Sequence, residues 1–73
     1  MDKKSVYSKI GKNIARIRKK CGYTQERFAE LMGKSWSSIA KLETGMQNVS
    51  IGKLMEIAKF LGVDFREFFE FDA

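Results

Sequence analysis

The residues of this chain whose types and spacing suit chemistry lie in GKSWSSIAKLETG, residues 33–45, where the single tryptophan stands among serines. The hydroxyls of Ser35 and Ser37 can each donate or accept a hydrogen bond. Lys41, one helical turn after Ser37, can reach a guanine edge or a phosphate. Ser37, Ser38 and Ala40 keep that face of a helix slim, as a helix must be to enter a major groove about 12 Å wide. The indole of Trp36 offers a flat apolar face for a thymine methyl or a deoxyribose and an N–H for a phosphate. This is chemistry of recognition. Catalysis has no comparable set: histidine is absent, there is one cysteine, and the carboxylates are scattered, so no nucleophile–base pair or metal-ligand constellation forms. No metal, no cofactor and no enzymatic activity are expected.

The charge distribution points the same way. Residues 1–20 carry eight Lys or Arg against one Asp, whereas the remainder carries six against eight acids, within an overall charge of +5. The basic first segment favours a polyanion, either nucleic acid or an anionic membrane surface, with a solvated lysine face as the plain alternative. Cys21 alone excludes an internal disulfide and fits a reducing compartment. No apolar run approaches membrane-spanning length, and MDKKSVYSKIGKN lacks the apolar block of a signal peptide. A cytoplasmic protein without a membrane partner is expected.

The elements that must position these residues are marked by regular punctuation. Gly22, Gly33, Gly45 and Gly62 each follow an apolar-periodic segment, and Thr24, Ser35, Ser50 and Asp64 follow them as N-cap candidates. The pattern predicts a single domain over 1–73, all-α, a five-helix bundle. The first helix spans about Val6 to Cys21, with Val6, Ile10, Ile14, Ile17 and Cys21 on one core stripe. The second, about Gln25 to Met32, offers Phe28, Leu31 and Met32 to the core and Ala29 for a close crossing. The third, about Trp36 to Thr44, is anchored by Ile39 and Leu42. The fourth, about Ile51 to Leu61, buries Ile51, Leu54, Ile57, Ala58 and Leu61. The fifth opens on a reciprocal cap between Asp64 and Glu67. Helices two and three, joined only by GKS, have the dimensions of a helix-turn-helix.

From residue 10 to 69 the chain resembles the Cro/repressor-type helix-turn-helix domains of the XRE family, the lambda-repressor-like DNA-binding fold. The resemblance is carried by YTQERFAELMG, by the Ile39/Leu42/Glu43/Gly45 spacing and by LMEIAKFLGVDFREFF. It implies a sequence-specific transcriptional regulator bound to double-stranded DNA, a small phage-type or controller-type repressor or activator. It also implies that Ser35, Trp36, Ser37 and Lys41 face DNA, with Ser38 near the backbone. Gln25 takes the family's role of clamping a phosphate and bracing the reading helix, and Thr24 is placed with it at the start of helix two, where the helix dipole favours an anion. Gln47 and Asn48 would line the other phosphate wall. Arg18 and Glu43 correspond to an ion pair that locks helix one to helix three.

Plainer uses stand beside these. Ser35 is also an N-cap, and Lys41 and Gln25 are also ordinary surface residues. Trp36 is alternatively a lid folded over Lys34 and helix two. Cys21 reads as core. The chain departs from the family at Lys34, where an apolar residue is usual in the turn, at Thr44 for arginine, at Val49 for proline and at Trp36 itself. In the aromatic end FREFFEF, Phe65 and one of Phe68 and Phe69 close the core, and Phe68, Phe69 and Phe71 form the candidate dimer interface. A homodimer would read a palindromic operator with half-sites about 34 Å apart. The alternative from another class is an antitoxin-like module whose aromatic end binds a protein partner, with DNA binding secondary.

Overall fold

Asp2 starts the first helix. In the computed structural model, which describes residues 2–71, its carboxylate accepts from the Ser5 backbone N–H at 2.8 Å, and α1 runs over Lys3–Lys20. That is earlier than the apolar stripe suggests, because a cap sets a helix start and the stripe records only where the helix meets the core. Next come α2 (Gln25–Met32), α3 (Trp36–Thr44) and α4 (Ile51–Leu61), capped by Thr24, Ser35 and Ser50. No helix among the described residues is long and apolar enough to cross a membrane.

The last described element is a turn of 3-10 helix, Phe65–Phe69, and among the described residues there are four α-helices and this turn, not five helices. The expected reciprocal cap gives way to a local fork. Asp64 accepts from the backbone N–H of Arg66 at 2.9 Å and from its guanidinium at 3.0 and 2.7 Å. With its side chain turned to Arg66, Asp64 bonds Glu67 through its carbonyl, which tightens the chain into i→i+3 bonding.

The core gathers Ile10, Ile14 and Ile17 from α1, Phe28 and Ala29 from α2, Ile39 and Leu42 from α3, Leu54, Ile57, Ala58 and Leu61 from α4, and Phe68. Three residues assigned inward lie outside. Leu31 is 42% exposed because it sits about 100° around α2 from Met32. Ile51 is 55% exposed at the open first turn of α4. Cys21 is exposed as the C-cap of α1, beyond the end of the stripe it continues, with its thiol 3.8 Å from the Leu61 carbonyl. Tyr23, Phe28 and Phe60 pack ring against ring over the α1–α2 corner.

Candidate nucleic-acid interface

α3 is held at both ends by local chemistry. Ser35 Oγ accepts from the Ser38 backbone N–H at 3.1 Å and its hydroxyl donates to Ser38 Oγ at 2.9 Å. At the other end Gly45, at φ 77°, lets the chain reverse so that the Met46 N–H returns to the Lys41 carbonyl at 2.9 Å. Gly45 has a second reason to be glycine. A Cβ there would lie 2.5 Å from the backbone nitrogen of Ser8, so the end of α3 presses directly on the α1 backbone.

Behind α3 stands a buried ion pair. Arg18 Nε donates to Glu43 Oε2 at 2.6 Å and its terminal nitrogen donates to Oε1 at 3.0 Å, while the other terminal nitrogen donates to the Tyr23 carbonyl at 2.7 Å. Both side chains are about 5% exposed. The fork meets the planar carboxylate two bonds at a time, which fixes an angle as well as a distance. It also answers the awkward position of Glu43, an anion in the last turn of a helix whose C-terminal end is already negative. No buried side-chain nitrogen or oxygen among the described residues is left without a partner.

Gln25 extends this pair toward the surface. Its Nε2 donates to Glu43 Oε1 at 2.8 Å, and its Oε1 accepts from the indole N–H of Trp36 at 3.0 Å. Arg18, Glu43, Gln25 and Trp36 therefore form one hydrogen-bonded line from the interior to solvent, joining α1, α2 and the first residue of α3. Trp36 nevertheless remains 56% exposed. Its geometry combines the two uses open to it: the N–H reaches back to helix two, and much of the ring stays outside. Thr24 Oγ1 caps α2 by accepting from Arg27 at 3.1 Å, and Thr24, Gln25 and Trp36 border a shallow groove with Arg18 and Lys19.

The outward side of α3 presents Ser37 and Lys41, both exposed, with Ser38 partly buried beside them. After α3, the Gln47 amide donates to the Ser38 carbonyl at 3.3 Å and Asn48 is exposed. Thr44 turns its hydroxyl back to the carbonyls of Ala40 and Lys41 at 3.0 and 3.2 Å. Ser37 and Lys41 thus stand exposed on α3, Gln47 is joined to the helix at Ser38, and Gln25 is joined to it through the indole.

The aromatic end behaves differently from its sequence reading. Phe68 is fully buried, so it belongs to the core and has no surface to offer a partner. Phe69 is 37% exposed and packs edge-on against Phe65, while the Lys9 ammonium lies 5.6 Å from the centre of the Phe71 ring. Two contributors had no obvious sequence signal. Gly11 faces the α3 backbone at Leu42 and Glu43 so closely that any Cβ would collide with it. Asn13 donates to the carbonyls of Phe68 and Glu70 at 2.9 and 3.1 Å, tying the C-terminal turn to α1. A mid-helix asparagine in a basic segment hints at a polar contact without naming its partner.

Comparison with known proteins agrees with this geometry. A helix-turn-helix family model matches residues 14–68. The chain is similar to y4dJ of Sinorhizobium fredii, described as an uncharacterised HTH-type transcriptional regulator, at 39% identity over 54 residues, covering 74% of this chain and 70% of that protein. It is also similar to the HTH-type transcriptional regulator PuuR of Escherichia coli, at 36% identity over 59 residues; the match covers 81% of this chain but only 32% of the length of PuuR. Among solved structures, the restriction-modification controller protein C.AhdI of Aeromonas hydrophila superposes with a TM-score of 0.79 at 30% identity, covering 88% of this chain and 97% of that one. By its α2–turn–α3 geometry, its family match and its relatives, the chain belongs to the helix-turn-helix family of DNA-binding transcriptional regulators.

Proposed function

We propose that this protein places α3 in the major groove of operator DNA and regulates transcription there as a homodimer, in the cytoplasm, in the manner of a small controller-type regulator. The observation that carries the reading is the contrast between the two sides of α3. Its inner side is fixed by the Arg18–Glu43–Gln25 line, whereas its outer side offers Ser37 and Lys41 free to solvent. A helix that must report base identity has to be held at a set angle by groups that do not themselves touch bases. In this reading Lys41, Ser37 and the Trp36 ring meet base edges. Thr24, Gln25, Ser35, Ser38, Gln47 and Asn48 meet the sugar-phosphate walls. The Arg18–Glu43 pair orients α3 from behind.

The Ser35 hydroxyl already donates to Ser38, so its contribution is acceptance and capping. The second copy is taken up through the exposed edge of Phe69 with Phe65 and Phe71, Phe68 having no surface to give. The likeness to C.AhdI, a restriction-modification controller protein, supports the controller-type assignment.

Selection of binding sites from random duplex DNA, followed by titration at several salt concentrations, tests the proposal. Enriched sites should show twofold symmetry, and affinity should fall steeply with salt, with a slope reflecting several released counterions. Sedimentation of the Phe69→Ser protein should move toward monomer, with operator affinity falling much more than half-site affinity. Equal affinity for selected and random duplexes would remove the regulator reading, and an unchanged dimer would place the interface elsewhere.

A further inference from the structure

Lys34 breaks the apolar pattern of the α2–α3 turn, and the consequence in three dimensions is a groove. It lies between that turn, α3, the loop after α3 and the start of α4, and encloses about 460 Å³. That falls within the range of sites that hold small molecules. Its floor is apolar, formed by Met32, Ile39, Leu42 and Ile57, and its rim is polar, with Lys34 and Lys53 on it and Ser38, Ser50 and Gln47 around it. An apolar floor with a few convergent polar groups is the usual composition of a small-molecule site.

The two lysines make the rim selective. Lys34 and Lys53 share this rim, and Lys53 is held below the ordinary lysine value, first by the neighbouring Lys34 amino group, then by partial burial and by repulsion from the Lys34 charge, with Glu56 opposing. Like charges side by side are unfavourable until an anion comes between them. Phosphate would satisfy the amino groups but leave the apolar floor wet. A hydrocarbon would cover the floor but leave the amino groups in repulsion. A molecule with one carboxylate and a short apolar body satisfies both.

We propose that this groove binds a small organic carboxylate, its charged group between Lys34 and Lys53 and its apolar body over Ile39, Leu42 and Ile57. Both lysines stand outside the proposed base-reading and phosphate-holding set, whereas Ser38, Gln47 and Asn48 of the lining belong to it, so the groove adjoins the DNA-facing side and its ligand is tested with no DNA present. Hexanoate is a suitable probe, followed by backbone and methyl NMR shifts, with hexanol and inorganic phosphate as controls. For a ligand of this size, saturable binding in the millimolar range is expected. Shifts should centre on Ile39, Leu42 and Ile57, and hexanol and phosphate should each bind about tenfold or more weakly, since each lacks one of the two interactions. Lys53→Gln should weaken hexanoate by a similar factor. Lys34→Met, which puts an apolar side chain back in the turn and removes a charge, should abolish binding in a protein whose circular dichroism and melting are intact. Lys34→Gln provides the charge-only comparison and should weaken hexanoate while leaving the groove open. The proposal is overturned if hexanoate produces no saturable shift at about 10 mM, where a site of this class should be filling. Equal binding of hexanol would reduce the groove to an apolar crevice, equal binding of phosphate would reduce it to a surface charge pair, and either result also overturns the proposal.

Discussion

Replacing Gly11 by alanine separates two forces of opposite sign. Gly11 lies in the middle of α1, where helix propensity alone makes Gly→Ala stabilising by about 1 kcal/mol. Packing says otherwise. An alanine Cβ would stand 2.6 Å from both the Glu43 carbonyl carbon and the Leu42 carbonyl oxygen, where ordinary contact begins at 3.4 Å. The Glu43 carbonyl oxygen would lie closer still, and all three are backbone atoms, so no rotamer change relieves the clash and α1 and α3 must separate by about 1 Å to restore contact distance. Overpacking of this kind costs about 1–3 kcal/mol, and more where the neighbour cannot yield. The upper end applies, and after the propensity gain a net loss of about 2 kcal/mol remains. For a domain of this length that lowers the midpoint of thermal unfolding by roughly 8–16 °C. The molecule supplies its own control in Gly52. It is also helical, but the nearest neighbour of a Cβ there is the Ser50 hydroxyl at 3.9 Å. Gly52→Ala should therefore gain about 0.5–1 kcal/mol and raise the midpoint by a few degrees. Thermal melts of the two variants followed by circular dichroism decide the matter. A Gly11→Ala protein melting at or above the parent temperature would show that α1 and α3 do not meet backbone to backbone.

Three further outcomes follow from the site. Glu43→Ala leaves Arg18 buried and unpaired and should cost about 3–5 kcal/mol in urea unfolding; the double change Arg18→Met with Glu43→Leu should recover most of that stability without recovering operator affinity. Asp64, held by the Arg66 side chain and then by its backbone N–H, should titrate near 2, not at the ordinary 3.8, in a carboxylate NMR titration, and return toward 3.8 in Arg66→Ala. Because its folded value is depressed, the contribution of this contact to stability is complete above pH 3.8 and is lost as the pH falls toward 2. Trp36→Phe keeps an aromatic ring but removes the donor to Gln25; melting should change by less than about 1 kcal/mol equivalent, since the bond is exposed, while operator affinity falls. Unchanged affinity would detach the indole from recognition.

The legible parts of the chain were those governed by local rules. Glycine in the left-handed region after each helix and a hydroxyl before the next are short-range requirements, so the limits of α2, α3 and α4 agree with the punctuation of the sequence. Asp2 gives no sign of its role because nothing apolar precedes Val6 to mark a helix already under way. Residue type and spacing point Leu31, Ile51 and Cys21 inward, but an eight-residue helix buries only a narrow stripe, and residues at helix ends lie past the rim of so small a core. The aromatic turn differs from its pattern for another reason. Asp64 can cap either an α-helical or a tighter turn, and Arg66, two residues on, decides between them. Gly11 was illegible in principle, since its requirement comes from the backbone of residues more than thirty positions away. The groove beside Lys34 is half legible: the missing apolar side chain is visible in the sequence, but not the second lysine that shares its rim.

Trp36 shows how orientation and stability divide along one line of bonds. At the inner end, Arg18 and Glu43 are shielded from water, so their bonds are electrostatically strong while much of that strength offsets desolvation. At the outer end, the Gln25–Trp36 bond is exposed and in competition with water, so it contributes little to stability. Between them Gln25 is committed in both directions, its N–H to Glu43 and its carbonyl oxygen to the indole, which fixes the amide orientation and leaves one amide hydrogen free. A rigid inner end and a weakly held outer end let the tryptophan keep a defined position without burial. A large aromatic can therefore stand at the exposed start of α3 because its polar edge is anchored and its apolar face is left available.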